Sequence, residues 1–177
     1  MSKDNLFDWG RLGDIITGRE NLGLEMPVAV YRLMQCTLFD TLTEAFGKDR
    51  AEELLREAGF RAGTALAHNT LDLTSEFSDF LRCLQKVLKE YKIGILKIEK
   101  MDIKKLEFTL TVDEDLDCSG MPVYGDTVCV YDEGFISGIF EAYTKREFVV
   151  KEVDCWATGD RTCRFTVIPC KPLQTAR

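Results

Sequence analysis

Between Tyr91 and Val112 the hydrophobic pattern of this chain changes period, and that change restricts the folds open to it more than any other feature. Before it, Phe77, Phe80, Leu81, Leu84, Leu88 and Tyr91 recur at three- and four-residue steps, the stripe of an amphipathic helix. After it, Leu106, Phe108, Leu110 and Val112 alternate with polar residues, the mark of a strand with one buried face. Ile93 to Ile98 reads as its hairpin partner, joined through Lys100 to Ile103. Helices that precede strands in blocks, without regular alternation, give an α+β domain.

The remaining elements follow from the same signals. Pro27 suits a first helical turn, Val30, Leu33, Leu38, Leu42 and Ala45 keep helical spacing, and Gly47 ends that helix. Asp49 and Glu52 form a capping-box signature for a second helix running to about His68, a cation favoured at a helix C-terminus. Within it Gly59 and Gly63 are four apart, which lets another backbone approach closely. Thr74 is the expected N-cap of the third helix. A loop from Asp113 to Gly125 leads to a helix ending near Tyr143. Two strands close the chain, roughly 147–155 and 162–168, joined by Ala157 to Asp160. The expectation is an antiparallel sheet of about four strands against a helical layer. Residues 26–170 make one domain, preceded by a lead-in, residues 1–25, whose Trp9, Leu12, Ile15 and Ile16 are apolar enough to form a dimer contact.

Charge and cysteine content narrow the function. The net charge of −7 argues against a nucleic-acid partner, and the lysines between Lys86 and Lys105 are interrupted by Glu90, Glu99 and Asp102. The N-terminus has no apolar signal-peptide core, and no apolar run reaches the roughly 20 residues needed to cross a bilayer, so a cytoplasmic protein with no membrane partner is expected. There, seven cysteines are thiols or metal ligands rather than a disulfide framework.

Cys129, Glu152, Cys155 and Cys163 stand out among the possible ligands. Three thiolates and one carboxylate suit tetrahedral zinc, and four protein ligands leave no open position for a catalytic water. Cys118, in a loop beside Ser119 and Gly120, is a candidate substitute for Cys129 or a free thiol. In a regular strand Glu152 and Cys155 point to opposite faces, so a bulge or an early turn near Gly159 has to bring them together. Cys36 and Cys83 fit helical patterns as packing residues, and Cys170 is expected to be exposed. The bland alternative is that Cys129 and Cys163 are buried thiols acting as small hydrophobes.

The stretch Cys118 to Val167 resembles the 4-vinyl-reductase domain. Its end, KEVDCWATGDRTCRFTV, is similar to that family's E-x-x-C-x-x-x-G-x-x-x-C pattern, and LLREAGFRAGTALA resembles its G-Φ-x-x-G helix, with Φ aromatic. The spacing of Cys129, Glu152, Cys155 and Cys163 matches the zinc site in sensor domains of phenol-responsive activators. The resemblance implies a TRAPP/H-NOX-like ligand-binding fold that holds small or apolar molecules between helices and sheet, often as a homodimer. Two departures matter. The stretch corresponding to a ligand-contacting H-x-x-E-G reads Glu90-Tyr91-Lys92-Ile93-Gly94, without histidine. The ATPase and DNA-binding modules of those activators do not occur within these 177 residues, so output is expected to pass through a separate signalling or effector protein.

The first expectation for function is a sensor or carrier domain for a small apolar or aromatic ligand. Its pocket would be lined by Phe77, Phe80, Tyr91, Phe108, Tyr131, Phe135, Ile136, Phe140 and Trp156, with Tyr131, Ser137 and Tyr91 as polar members. The alternatives are a dimeric scaffold with a filled core and a reductase in the sense of the family label. No nucleophile–base pair and no G-x-G-x-x-G turn supports an enzyme.

Overall fold

The change of hydrophobic period separates two layers. Four helices come first: α1 (Ile15–Gly18), α2 (Val28–Phe46), α3 (Lys48–Thr70) and α4 (Phe77–Glu90). Then follow β1 (Ile95–Asp102), β2 (Glu107–Asp113), α5 (Val130–Thr144), β3 (Phe148–Asp154) and β4 (Cys163–Pro169). The structure, a computed structural model, describes residues 7–171. The strands form one antiparallel sheet in the order β1-β2-β4-β3, so the two hairpins meet through β2 and β4. The two-residue period places Phe108, Leu110 and Val112 of β2 with Cys163, Phe165 and Val167 of β4 on the buried face, beside Phe148, Val150 and Glu152 of β3. This is the expected α+β class with four antiparallel strands.

The closest packing joins α3 to α5. A Cβ on Gly59 would lie 2.0 Å from the Tyr131 carbonyl oxygen, and one on Gly134 would lie 1.9 Å from that of Arg56. Gly63 and Gly138 repeat the arrangement one turn on, against the carbonyls of Phe135 and Phe60. The neighbouring backbone that Gly59 and Gly63 admit is thus α5, through a matching pair of glycines four residues apart. That second pair gives no sign of its partner in the linear sequence.

Two helix starts differ from expectation. Gly47 both ends α2 and begins α3, so no residue is left between them to cap α3 with its side chain, and Asp49 lies inside the first turn. The cap position of α4 is Glu76; the Thr74 hydroxyl instead donates to Asp72 Oδ1 at 2.7 Å in a turn completed before the helix begins. A further feature concerns α2. Val30, Leu33 and Leu38, whose spacing marks the helix in the sequence, are 54%, 69% and 46% exposed. The helix leans on the domain through its other face, where the Tyr31 hydroxyl donates to Asp117 Oδ1 and Arg32 Nε donates to the Leu116 carbonyl. In the described part of the lead-in, Trp9 packs half-buried against the core, while Leu12, Ile15 and Ile16 are exposed; residues 1–6 lie outside the described residues. Among the described residues no helix is long and apolar enough to cross a membrane.

Candidate metal centre and ligand groove

Four cysteines from four separate segments converge at one end of the sheet, where β2 ends and β4 begins. Cys118 lies in the loop after β2, Cys129 immediately before α5, Cys155 just beyond β3 and Cys163 at the start of β4. All four side chains are buried. Asp115 Oδ1 accepts the backbone N–H groups of Asp117 at 2.8 Å and Cys118 at 3.3 Å, a side-chain-closed turn that aims Cys118 inward. The strand problem at Cys155 is solved by a bulge: Glu152 pairs with Phe165 but Asp154 pairs with Arg164, leaving Val153 extra and exposed and returning Cys155 to the buried side. A single 3-10 turn, Trp156–Thr158, closed by Gly159 at φ 104°, then reverses the chain toward Cys163.

The sulfur spacing suits a tetrahedral ion. Cys129 lies 3.8 Å from both Cys155 and Cys163, and Cys155 lies 3.8 Å from Cys118. A tetrahedron with zinc–sulfur bonds of about 2.3 Å has edges of about 3.8 Å. Cys118 and Cys163 stand closer, at 3.1 Å. Sulfur contacts with Cys118, Cys129 and Cys163 lower the Cys155 thiol far toward thiolate, while Cys129 and Cys163 are pushed up, first by their contact with Cys118. A metal would need all four as thiolates and would displace the remaining protons on binding.

Glu152 stands beside this cluster, outside the group of four sulfurs. One carboxylate oxygen accepts the Cys129 backbone N–H at 3.0 Å, and the other has no hydrogen-bond partner. The Glu152 N–H in turn donates to Glu133, whose carboxylate also takes Arg56 and Lys151. This chain of contacts ties α3, α5 and β3 to the cysteines. Burial pushes the Glu152 carboxyl up to about 8. Asp115 is raised to about 7, first by burial and then by Asp117, and burial raises Asp132 well above the usual carboxylate range. Both lie close enough to Cys129 to form a second group of ligand-type atoms.

The expected aromatic pocket is divided among several places. Phe77, Phe80, Phe108, Phe140 and Tyr143 stack on one another, with centroids 4.0–6.3 Å apart, and fill the helix–sheet interior. Phe135, Ile136 and Phe140 do line an interior cavity, with Asp115 and Asp132 at its polar end, but it measures only about 20 Å³, the space of about one water. Tyr131 does not line it and instead lines, with Trp9 and Leu12, a trough under the lead-in. Tyr91 is exposed at the end of α4, Trp156 carries the Arg161 guanidinium 4.7 Å above its ring, and Ser137 donates to the Phe148 carbonyl. Side chains of this size interdigitate when helices close on a sheet, and linear spacing does not reveal the space left between them.

A larger opening lies on the other side of the cysteines. Between α2, α3 and the 117–130 segment runs a groove of about 450 Å³, walled by Phe39, Leu55, Met121 and Val128. Asp117, 4% exposed, lines it with Oδ2 unpartnered, and so does Gln35 with Oε1 unpartnered. Burial raises the Asp117 carboxyl, with Tyr31, Arg32 and Gln35 pulling the other way. A wider trough of about 800 Å³ lies under the lead-in, but among the described residues no such unpartnered group lines it. Cys36, expected to be a packing residue, is exposed at the groove, because the face of α2 that carries it is not covered; Cys170 is exposed as expected. The acidic run Asp115-Leu116-Asp117-Cys118 is the signal in the sequence that marks this region.

Residues 108–169, from β2 to β4, match the 4-vinyl-reductase domain. An uncharacterised protein of Methanocaldococcus jannaschii is 26% identical over 148 residues, 84% of this chain and 81% of that protein. Among solved structures, the phenol-responsive sensory domain of the transcription activator PoxR with phenol superposes with a TM-score of 0.67 at 18% identity, covering 83% of this chain and 76% of that one. A vinyl-4-reductase family protein from the same Methanocaldococcus gives 0.63 at 20% identity, covering 90% and 95%. A trafficking protein particle complex subunit 3 from Naegleria fowleri, covalently bound to palmitic acid, gives 0.58 at 16%, covering 82% and 99%. An H-NOX protein from S. oneidensis lies further off at 0.50 and 12%, covering 78% and 73%. The chain therefore shares the fold of these domains.

Proposed function

We propose, for a chain whose residues 108–169 form a 4-vinyl-reductase domain, that it is a cytoplasmic small-molecule sensor or carrier in which zinc ties the C-terminal half together. One observation carries the reading. The segment from Cys118 to Cys129 is anchored at both ends in the sulfur cluster, and along its length it walls the 450 Å³ groove, within the usual size of a small-molecule site. The PoxR domain holds phenol and the trafficking subunit holds palmitic acid, so domains of this shape accommodate apolar ligands.

The donor set fits zinc. Cys118, Cys129, Cys155 and Cys163 would hold it, and Glu152, the fourth ligand expected from spacing, would steady Cys129 through its backbone N–H. Four thiolates complete a tetrahedron, so the ion would act as a structural tie with no position for substrate. The outer face of α2, with Val30, Leu33, Met34 and Leu38 exposed, supports a homodimer, the commonest closed assembly. One domain over residues 26–170 with a contributing lead-in remains the proposed organisation.

Native mass spectrometry of freshly purified protein tests the proposal, with close to one zinc per chain, a small molecule and twice the chain mass expected together. Soluble, folded protein with neither metal nor small molecule would sink it. The second reading, a dimeric scaffold with a filled core, is favoured by the 20 Å³ interior cavity and would be left standing by a dimer that carries zinc but no small molecule.

A further inference from the structure

We infer that the groove between α2, α3 and the 117–130 segment binds an apolar amine in its ammonium form, with the head group on Asp117 and Gln35. The inference rests on the groove being the ligand site and adds the class of ligand. Its walls are apolar, but two buried polar atoms on it, Asp117 Oδ2 and Gln35 Oε1, are both acceptors without a partner. Buried acceptors left unpaired are costly, and an ammonium supplies up to three N–H donors where a hydroxyl supplies one.

The charges around the groove select in the same direction. Among the described residues, Asp40, Glu52 and Asp126 line it together with Asp117, against a single lysine. That lysine, Lys48, already stands 3.8 Å from Glu52 and 3.6 Å from Asp126. Arg32, the other nearby cation, spends its guanidinium on the carbonyls of Leu116 and Asp115. A carboxylate or phosphate ligand would therefore meet Asp117 with no uncommitted cation of the described groove to pair with. Four thiolates around a divalent ion carry a net negative charge, and Cys118 follows Asp117 directly in the chain, so metal loading deepens the same potential.

Three ligands sharing one ring separate the possibilities: benzylamine, benzyl alcohol and benzoate, titrated calorimetrically into metal-loaded full-length protein. Benzylamine should bind at least tenfold more tightly than the alcohol, with benzoate undetected. Asp117→Asn, which keeps an acceptor for the Tyr31 hydroxyl, should weaken benzylamine at least tenfold while metal content and Tm hold. Gln35→Leu provides a second variant away from the cysteines, with a smaller loss expected. Equal binding of amine and alcohol, or saturation of the groove by magnesium chloride alone, would overturn the ammonium assignment. Benzylamine binding that survives both variants would overturn the location. If none of the three binds but a co-purifying molecule is expelled by Val128→Trp, the ligand class is wrong and the ligand-binding reading stands. If no molecule co-purifies and none binds, both fall.

Discussion

α5 and α2 are both rich in apolar residues, yet α5 buries ten of its fifteen residues and α2 buries none of its nineteen. The difference lies in what each meets. α5 is pressed on one side against α3 through four glycines and on the other against the sheet, and it begins at Cys129, so a metal ligand would fix its first turn. α2 touches the domain mainly through Tyr31, Arg32 and the groove residues, and turns Leu33 and Met34 to solvent. Burial in this molecule follows backbone approach and anchoring rather than the apolar content of a helix.

Gly134→Val attacks the better-packed side of that contrast most directly. A side chain there would overlap the Arg56 carbonyl, which helical backbone cannot yield, so the loss should exceed the about 1–3 kcal/mol of ordinary overpacking and abolish cooperative melting by circular dichroism. A Tm close to that of the parent would show that α3 and α5 are held by something else. Next comes the metal. Cys155→Ser, or chelation of the parent, should lower Tm by roughly 10 °C or more, and returning zinc should restore the chelated parent alone. An unchanged Tm after complete chelation would mean that the anchoring of α5 owes nothing to the cluster.

Glu152→Gln should be milder. The amide oxygen still accepts the Cys129 N–H, so metal content near one per chain should persist with a loss of about 1–2 kcal/mol in chemical denaturation. Loss of the metal in this variant would restore Glu152 to the ligand set. The smallest effect belongs to α2. Leu33→Ser should change monomer stability by about 0.5 kcal/mol or less while the mass in light scattering falls from about twice 20.2 kDa to the single-chain value. A large drop in Tm without a change in mass would mean that α2 supports its own domain and not a partner.

Much of this is legible in the sequence because the signals are local. The strand alternation at Phe108 to Val112, the helix stop at Gly47 and the turn at Gly159 depend on neighbours in the chain, and the structure has them where expected. Cys129, Cys155 and Cys163 are recognisable because their spacing matches the pattern of the family that the chain resembles. Cys118 stands among the candidates, but its partners cannot be read, since they lie 11, 37 and 45 residues further along the chain. The capping assignments at Asp49 and Thr74 fail for a nearby reason: a side-chain cap needs a free position ahead of the helix. Gly47 removes one such position, and Asp72 engages the other residue first.

The sequence by itself determined the order of the longer helices and of the strands and the buried face of β2, because period is a property of consecutive residues, and the resemblance to the 4-vinyl-reductase domain pointed to three of the four sulfurs. Only the tertiary structure showed that Glu152 accepts the Cys129 N–H while Cys118 joins the other three sulfurs, that five of the aromatic rings pack together in the interior, and that a groove opens beside Asp117. Those outcomes depend on how closely two backbones approach. That distance is set here by glycines on separate helices and by a one-residue bulge, and no period in the chain encodes it.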